Sequence, residues 1–535
     1  MVRWCGTALA ALLCTVLLAG CSVGPSLRPP VAVRGEDLPA PPPPPAAAPA
    51  DPDALPDTDP VRGGPTFTDC TAEVLAGLAA SGTEPPEDRA LAAGCGRLTV
   101  AADRARPDLG PARLGLTRIT RPGAPEDLPA LVVLGDTGID GSSRAAATLA
   151  AQLPDEVLAR YQVIGMDRRG SGTDLLDCAP PDARAALVDA DPTSADTATM
   201  DRLLARSRAI VQDCYLMLSG TLTSFRAAST ADDLEALRSA LGTARLNVVG
   251  VGDGADAAAQ WVTSHPEAAG RVVLDGPGDP TLDDPARTEA ATASAEAAFD
   301  AFATACTAGP ACPLGPDPRA TVRGLLDRLS GTALPVGDGD TVTAGSTVHA
   351  VRTLLSQPAR WPELTAALAA AVAGDPAGPA RLLRSGGPGP PDGSPGSFDA
   401  ALATRCNDSR VRTTPGEAAD LAGQWGARFD LFGVAAAQQL VTCGPWPSGG
   451  TSASQSPGAP GAAPPPPVLV IGTARDPRSP QSGAERTAEQ LGGGRLVRWQ
   501  GAGTGAYPRT PCVTAVVDRA LLEGRAPAED VVCPP

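Results

Sequence analysis

The 535-residue sequence contains no lysine and only two histidines, and aromatic residues make up 3% of it. Its formal net charge of −17 repels phosphate backbones, and no stripe of basic and aromatic residues offsets that repulsion. The sequence also lacks any Cys-x-x-Cys pair, and two imidazoles are too few for the usual zinc-ligand patterns. We therefore expect no nucleic-acid partner, no metal site and no cofactor.

The N-terminus carries a specific targeting pattern. Arg3 precedes an apolar run from Ala8 to Ala19, which is shorter than the roughly 20 residues that a membrane-spanning helix needs. The run ends in Leu18-Ala19-Gly20-Cys21, which resembles the cleavage site of a bacterial lipoprotein signal. Cleavage there would leave Cys21 as a lipidated first residue, and two acyl chains are enough for stable anchoring. The sequence thus predicts a lipid-anchored protein on the extracytoplasmic face of a bacterial cell membrane.

Composition divides the chain into segments. Residues 22–66 are rich in proline and alanine and contain too few apolar residues to fold, which predicts a disordered tether. A similar composition predicts a disordered surface loop at residues 448–467. The full set of predicted segments is a signal at residues 1–21, the tether at 22–66, the first part of the core at 67–278, a helical cap at 279–405, and the second part of the core at 406–535.

The cysteines indicate disulfide bonds. Cys5 and Cys14 fall in the signal and Cys21 is assigned to lipid, which leaves an even number in an exported chain. Pairing of sequence neighbours would close five short loops, although the sequence does not exclude other pairings. The remaining cysteines are Cys70, Cys95, Cys178, Cys214, Cys306, Cys312, Cys406, Cys443, Cys512 and Cys533.

Short β-type runs alternate with helical patterns along the chain, which predicts βαβ units and a largely parallel sheet. A helix is expected before the run Leu246 to Val249. It would have Thr230 as its N-cap and bury Leu234, Leu237 and Leu241 on one face. The predicted strands are Leu131 to Leu134, Val163 to Met166, Leu246 to Val249, Val272 to Leu274, Val468 to Ile471 and Leu496 to Trp499.

A sharp turn is predicted where the run Leu246 to Val249 gives way to a helix. The sequence there is Gly250-Val251-Gly252-Asp253-Gly254, with small residues around the centre, as in the strand-turn-helix nucleophile elbow of hydrolases. In an active serine hydrolase the central residue is serine. Here it is Gly252, which relieves the backbone strain that a side chain would suffer at that point.

Several further motifs lie in a shared order, and together they resemble those of the tripeptidyl-aminopeptidase-like α/β hydrolases, which are exported serine exopeptidases with a helical cap. The resemblance spans most of the chain beyond the tether, and it implies an α/β-hydrolase fold, with a mostly parallel sheet flanked by helices, and a Ser-His-Asp triad. The motifs are Asp167 to Gly172 (DxRGxG), Asp233 to Arg238 (DLxALR), Val273 to Gly276 (VLDG), Cys406 to Asp408 (CxD), Cys443 to Pro447 (CxxWP) and Asp476-Pro477.

The sequence departs from that family at the catalytic positions. The nucleophile position falls on Gly252, and the family's GAGHG turn aligns with Gly501 to Gly505, where Thr504 stands at the histidine. Of the triad that the resemblance implies, only the acid, Asp476, is retained. A carboxylate nucleophile at Asp253 would require a one-residue shift of the elbow and a base to release the ester, and the sequence supplies no suitable base.

The loop that should build the oxyanion hole also differs. The family's HGGPG element is replaced by Leu134 to Gly138, so Asp136 would face the site beside Asp253 and Asp476. Three carboxylates there would oppose the negative charge that develops during acyl transfer, although they could bind a cation or a peptide ammonium group. The simpler alternative makes Asp136 and Asp253 solvated turn residues. Neither His265 nor His349 matches a triad position, and both are expected to be structural.

These observations favour a non-catalytic member of the family that binds a peptide or another small ligand in the inherited cleft. Two alternatives stay open: a residual serine hydrolase or exopeptidase, as the resemblance alone implies, and a structural lipoprotein of the cell envelope. The sequence does not determine the oligomeric state.

Overall fold

The computed structural model describes residues 51–535, except residues 52, 84, 88, 140, 310, 338–339, 376–396 and 448–465. The predicted signal, Cys21, the tether up to residue 50 and nearly all of the predicted loop at 448–467 therefore lie outside the described residues. None of the helices in the described part of the chain is both long and apolar enough to cross a bilayer.

The core is a ten-stranded sheet with the order β1-β2-β3-β5-β4-β6-β7-β10-β11-β12. The first three strands in that order run antiparallel to their neighbours, and from β5 onward all pairs are parallel. The strands are β1 Thr68–Asp69, β2 Ala92–Ala101, β3 Pro111–Thr120, β4 Ala130–Leu134, β5 Gln162–Met166, β6 Leu246–Val251, β7 Ala269–Asp275, β10 Val468–Arg475, β11 Gly494–Ala502 and β12 Val531–Cys533, and a separate hairpin is formed by β8 Leu334–Gly337 and β9 Asp340–Val342.

Helices connect the strands and cover the sheet. They are α1 Thr71–Ala80, α2 Ser142–Gln152, α3 Asp155–Arg160, α4 Pro181–Val188, α5 Thr197–Leu218, α6 Ala227–Leu241, α7 Asp253–Ser264, α8 Asp284–Thr307, α9 Pro318–Gly331, α10 Ala344–Leu355, α11 Trp361–Val372, α12 Phe398–Asp408, α13 Pro415–Gly426, α14 Gly433–Val441, α15 Gln481–Gln490 and α16 Pro511–Glu523.

The central strands are buried on both faces, because helices pack on each side of the sheet. One apolar cluster joins Val133 and Val163 to helices α2 and α16, and a second joins Val132 and Val248 to α6 and α7. Continuous apolar strands of this kind are typical of a parallel sheet between two helical layers. The architecture is the predicted α/β-hydrolase fold.

All six predicted strands are present. The antiparallel strands β2 and β3 were not predicted from the sequence. The predicted N-cap at Thr230 is wrong, since α6 begins one turn earlier at Ala227. The Ala227 N–H donates to the carboxylate of Asp408, which comes from a different helix, so a tertiary contact caps this helix end.

The helical insertion between β7 and β10 is longer than predicted. Its helices continue past residue 405 to Val441, and it also contains the β8–β9 hairpin, so the boundary predicted at 405 is wrong. Helices α4 and α5, which lie between β5 and β6, join it through an apolar cluster containing Met200 and Trp425. We call these two helical insertions together the cap.

Five disulfides join the described cysteines, and each pairs sequence neighbours as the sequence analysis anticipated. They are Cys70–Cys95, Cys178–Cys214, Cys306–Cys312, Cys406–Cys443 and Cys512–Cys533. Two of them, Cys178–Cys214 and Cys406–Cys443, lie in one apolar cluster within the cap, together with Trp446.

The end of the predicted tether belongs to the folded core. Leu55 is buried, and its N–H donates to Gly524 O at 2.8 Å. Asp53 pairs with Arg495 of β11 at 3.0 Å. The prediction that disorder extends to residue 66 is therefore wrong, because a few apolar and charged side chains find partners across the fold that composition alone does not reveal.

Candidate functional site

The nucleophile elbow is present between β6 and α7. Gly252 has φ 58° and ψ −126°, a left-handed backbone conformation that costs little only for glycine. The turn is tight, because a Cβ added at Gly250 would lie 2.7 Å from the backbone of Ala255, and one at Gly254 would lie 2.5 Å from Leu134 O. The glycines around the elbow centre are thus required by backbone packing, as in active members of the fold.

Asp136 occupies the space that a side chain at the elbow would use. A Cβ built on Gly252 would lie 2.2 Å from Asp136 Oδ2, far inside van der Waals contact. Asp136 itself is buried, with 6% of its surface exposed. A side chain at position 252 and the Asp136 carboxylate in its present position therefore cannot both be accommodated without a shift.

Arg478 neutralises Asp136. Its guanidinium Nη2 lies 2.6 Å from Asp136 Oδ1, and the N–H of Gly138 donates to the same oxygen at 2.8 Å. The Asp136 carboxylate also raises the pKa of Arg478, against the opposing effect of burial. Asp136 is therefore not a solvated turn residue. Arg478 follows the retained acid by two positions, and the sequence analysis missed its role.

Asp253, directly after the elbow glycine, is held by two partners. Its Oδ1 lies 2.6 Å from Arg168 Nη1 and accepts from the Thr137 N–H at 2.8 Å, and Oδ2 accepts from the Thr137 hydroxyl. Burial raises the pKa of Asp253, and Arg168 acts in the opposite direction. Arg168 pairs with Asp253 and Arg478 pairs with Asp136. The prediction that these carboxylates create an uncompensated negative charge at the site is therefore wrong.

Asp476 lies immediately after β10, where the family places its triad acid, and it is fully buried. Its Oδ1 accepts from the Thr504 hydroxyl at 2.6 Å and from the N–H groups of Arg478 and Ser479. Burial raises the pKa of Asp476 to about 6. Thr504 therefore takes the hydrogen bond that a histidine would make, but a hydroxyl cannot act as the general base of a triad.

A cavity of about 1130 Å³ opens beside the elbow, between the carboxyl ends of the strands and the cap. Asp136 and Asp253 line it, whereas Asp476 does not. That volume is sufficient for a drug-sized ligand or a short peptide. No cluster of three or more histidine, cysteine, aspartate or glutamate side chains arranged to hold a metal occurs within the described ranges.

The sequence analysis missed two acids on the same cavity, Asp256 and Asp408. Burial raises the pKa of Asp256 to about 6 and that of Asp408 to about 7. Each accepts a backbone N–H, from Gly278 and from Ala227 respectively. Asp408 is the acid of the CxD motif, but the sequence gives no sign that it shares a cavity with Asp256, because α7 and α12 meet only in the folded chain.

Of the two histidines, His265 is the C-cap of α7 and does not line the cavity, which is consistent with the structural role expected for it. His349 lies on α10 and does line it, which differs from the purely structural role expected. Burial, with smaller contributions from Arg352 and Arg478, lowers the pKa of His349 to about 4. His349 is therefore uncharged at neutral pH.

The comparison with known proteins agrees with the motifs. A family model described as TAP-like protein matches residues 428–533. The chain is 27% identical over 470 residues to Serine protease Hip1 of Mycobacterium tuberculosis, which covers 82% of this chain and 87% of that protein. It is 28% identical over 461 residues to Carboxylesterase B of the same species, with 82% and 86% covered.

A third relative is the Tripeptidyl aminopeptidase of Streptomyces lividans, 25% identical over 465 residues, with 82% of this chain and 83% of that protein covered. These similarities extend along the sheet and the cap, well beyond the segment that the family model matches. With the sheet, the elbow and the strand-end acid in place, these similarities support the identification of the chain as a tripeptidyl-aminopeptidase-like α/β hydrolase.

Proposed function

We propose that this protein is a non-catalytic member of its family that binds a small ligand or peptide in the cavity beneath the cap. The observation that carries the proposal is the Asp136–Arg478 pair, whose carboxylate fills the nucleophile's place. A site that had only lost its serine would leave a gap at the elbow. Here the gap is filled by a buried, paired side chain.

The neighbouring positions support the same conclusion. Thr504 satisfies Asp476 through a hydroxyl, and Asp253 is bound by Arg168 and Thr137. The Thr137 N–H belongs to the loop that supplies an oxyanion-hole donor in the fold, and here it donates to a carboxylate. Loss of the nucleophile or of the base lowers turnover by about 10⁶, and engagement of the Thr137 N–H by a carboxylate weakens the oxyanion hole that sustains the remaining catalysis.

Labelling with a fluorophosphonate probe tests the absence of catalysis, because covalent capture requires an activated serine. We expect no labelling of the purified protein, while an active serine hydrolase in the same reaction is labelled. The control for accidental reaction is the heat-unfolded protein. Labelling of the folded chain at one mapped serine would contradict the proposal and favour the alternative of a residual hydrolase or exopeptidase, as the relatives' names suggest.

Thermal-shift measurements test the binding part of the proposal. A ligand that binds only the folded state raises the unfolding midpoint with concentration. We expect a shift from some members of a panel of short peptides and small organic ions. A panel without any effect would favour the third alternative, a structural envelope lipoprotein.

We further propose that Cys21 is lipidated and that it anchors the protein on the extracytoplasmic face of the cell membrane. The support is the apolar run Ala8 to Ala19 followed by Leu18-Ala19-Gly20-Cys21, and the five disulfides suit an oxidising compartment. Expression of Cys21→Ala in a bacterial host should move the protein from the detergent phase to the aqueous phase. Equal partitioning of both forms would refute the anchor.

A further inference from the structure

Two arginines on the cap side of the cavity have no acidic partner within the part of the chain that the structure describes. Arg352 lies on α10 and Arg405 on α12, and both line the cavity. Among the described residues, the Arg352 side chain makes no hydrogen bond or ion pair. Arg405 donates once within that part of the chain, to the Thr442 hydroxyl at 2.7 Å. We call Arg352 and Arg405 the arginine pair.

The two carboxylates that act electrostatically on the arginine pair, Glu296 and Asp284, have other partners. Glu296 accepts from the N–H groups of Leu431 and Phe432 at 3.1 and 3.0 Å and pairs with Arg319. It therefore stabilises a loop of the cap, and no hydrogen bond or ion pair joins it to Arg352 among the described residues.

The acid that acts on Arg405 is Asp284. It accepts from the Ser409 hydroxyl and from the N–H groups of Arg410 and Val411. All three donors bind Oδ2 of Asp284, and no hydrogen bond or ion pair joins Asp284 to Arg405 among the described residues.

The electrostatics of the arginine pair are unfavourable in the empty protein. Burial, with repulsion from Arg478 and Arg405, lowers the pKa of Arg352 to about 10. Burial also lowers the pKa of Arg405 to about 10, with Asp284 acting against it. Both guanidinium groups remain charged at neutral pH. Both line the cavity, as Arg478 does, but Arg478 is already paired with Asp136.

We propose that the arginine pair binds an oxyanion of a small organic ligand, a carboxylate or a phosphate group, in the cavity beneath the cap. The planar guanidinium fork matches both groups through paired N–H donors, and such charge-assisted bonds are the strong ones. The anionic group of the ligand would serve as the counter-ion of the two arginines. This inference rests on the proposed function, because it names the chemistry of the ligand that the cleft holds.

Calorimetric titration of the purified chain with two probes, sodium succinate and inorganic phosphate, tests the inference. Ionic strength is held constant with sodium chloride, and succinamide serves as the uncharged analogue of succinate. We expect at least one probe to bind and succinamide not to bind. Preference for succinate identifies a carboxylate ligand, and preference for phosphate identifies a phosphorylated one.

Substitution locates the binding. Arg352→Gln and Arg405→Gln should each raise the dissociation constant of the binding probe at least tenfold, since each removes a charge-assisted contact. The matched control is Arg206→Gln, which removes one exposed arginine of the cap that does not line the cavity. Circular dichroism of each variant verifies that it is folded. An equal effect of all three substitutions would overturn the inference, as would the failure of both probes to bind.

The inference and the proposed function can fail separately. Suppose that the cleft binds only uncharged or cationic peptides and that Arg352→Gln does not alter their affinity. The arginine pair is then not the binding group, while a non-catalytic binding function stands. Fluorophosphonate labelling together with weaker succinate binding in Arg352→Gln would leave the anion site intact and refute the absence of catalysis.

Discussion

The two sides of the cavity differ in how their charged side chains are paired. On the sheet side, Asp136 and Asp253 each contact an arginine, Arg478 and Arg168 respectively. On the cap side, the arginine pair, Arg352 and Arg405, lines the cavity without an acidic partner among the described residues. Charges paired within the fold stabilise it, whereas charges left unpaired at a cavity wall are available to a ligand. Under the functions proposed above, the paired charges of the sheet side serve stability and the arginines of the cap side serve ligand binding.

The largest loss of stability is expected from breaking the Asp136–Arg478 ion pair on the sheet side. Asp136→Ala leaves Arg478 without its counter-charge, and loss of one partner of a buried pair costs about 3 to 5 kcal/mol. Arg478 retains 30% exposure of its side chain, so we expect the lower end, about 3 kcal/mol, in urea unfolding. A loss below about 1 kcal/mol would show that the pair is not structural.

Gly252→Ser should destabilise the fold by about 2 kcal/mol without producing activity. The new side chain meets a positive φ and the Asp136 carboxylate at once. Gly492→Ser is the matched control, because Gly492 has a similar φ of 66° and open space around it. In an Asp136→Gly background, the cost of Gly252→Ser should fall to that of the control. Measurable ester hydrolysis by Gly252→Ser alone would contradict this interpretation.

The pH dependence of stability should reveal Asp476. Its pKa of about 6 lies above the unfolded value near 3.8, so the folded state holds the proton more tightly, and stability falls as pH rises from about 4 to about 6. His349 contributes with the opposite sign, because its pKa is lowered. The difference between wild type and Asp476→Asn isolates the carboxyl.

We expect Asp476→Asn to remove about 1 to 2 kcal/mol of the stability loss between pH 4 and pH 7, as measured by urea unfolding at each pH. An unchanged pH profile would show that Asp476 is already ionised at pH 4.

The smallest expected effect lies on the cap side. Arg352→Gln removes an unpaired charge that repels its neighbours, so the unliganded protein should gain up to about 1 kcal/mol in urea unfolding. Arg169→Gln is the contrasting variant, because Arg169 donates to both oxygens of buried Asp233, and its loss should cost several times as much. Destabilisation by Arg352→Gln would mean that the arginine pair has a structural partner.

The sequence was informative wherever the signal was local. The apolar runs of the six predicted strands, the elbow and the pairing of neighbouring cysteines depend on residues close together, and the fold uses them as expected. The ends of elements were harder to predict. Thr230 was predicted to cap α6, but the chain uses Asp408, which is far away in the sequence.

Gly252 and Thr504 could be singled out in the sequence because the motifs that resemble the family's align them with its serine and histidine positions. The sequence could not show which side chains surround them in the fold. Asp136 and Arg478 lie 342 positions apart, and Arg352 and Arg405 belong to different helices of the cap. Whether a charge is paired or left for a ligand depends on which side chains the fold brings within a few ångströms, and only the tertiary structure decides that.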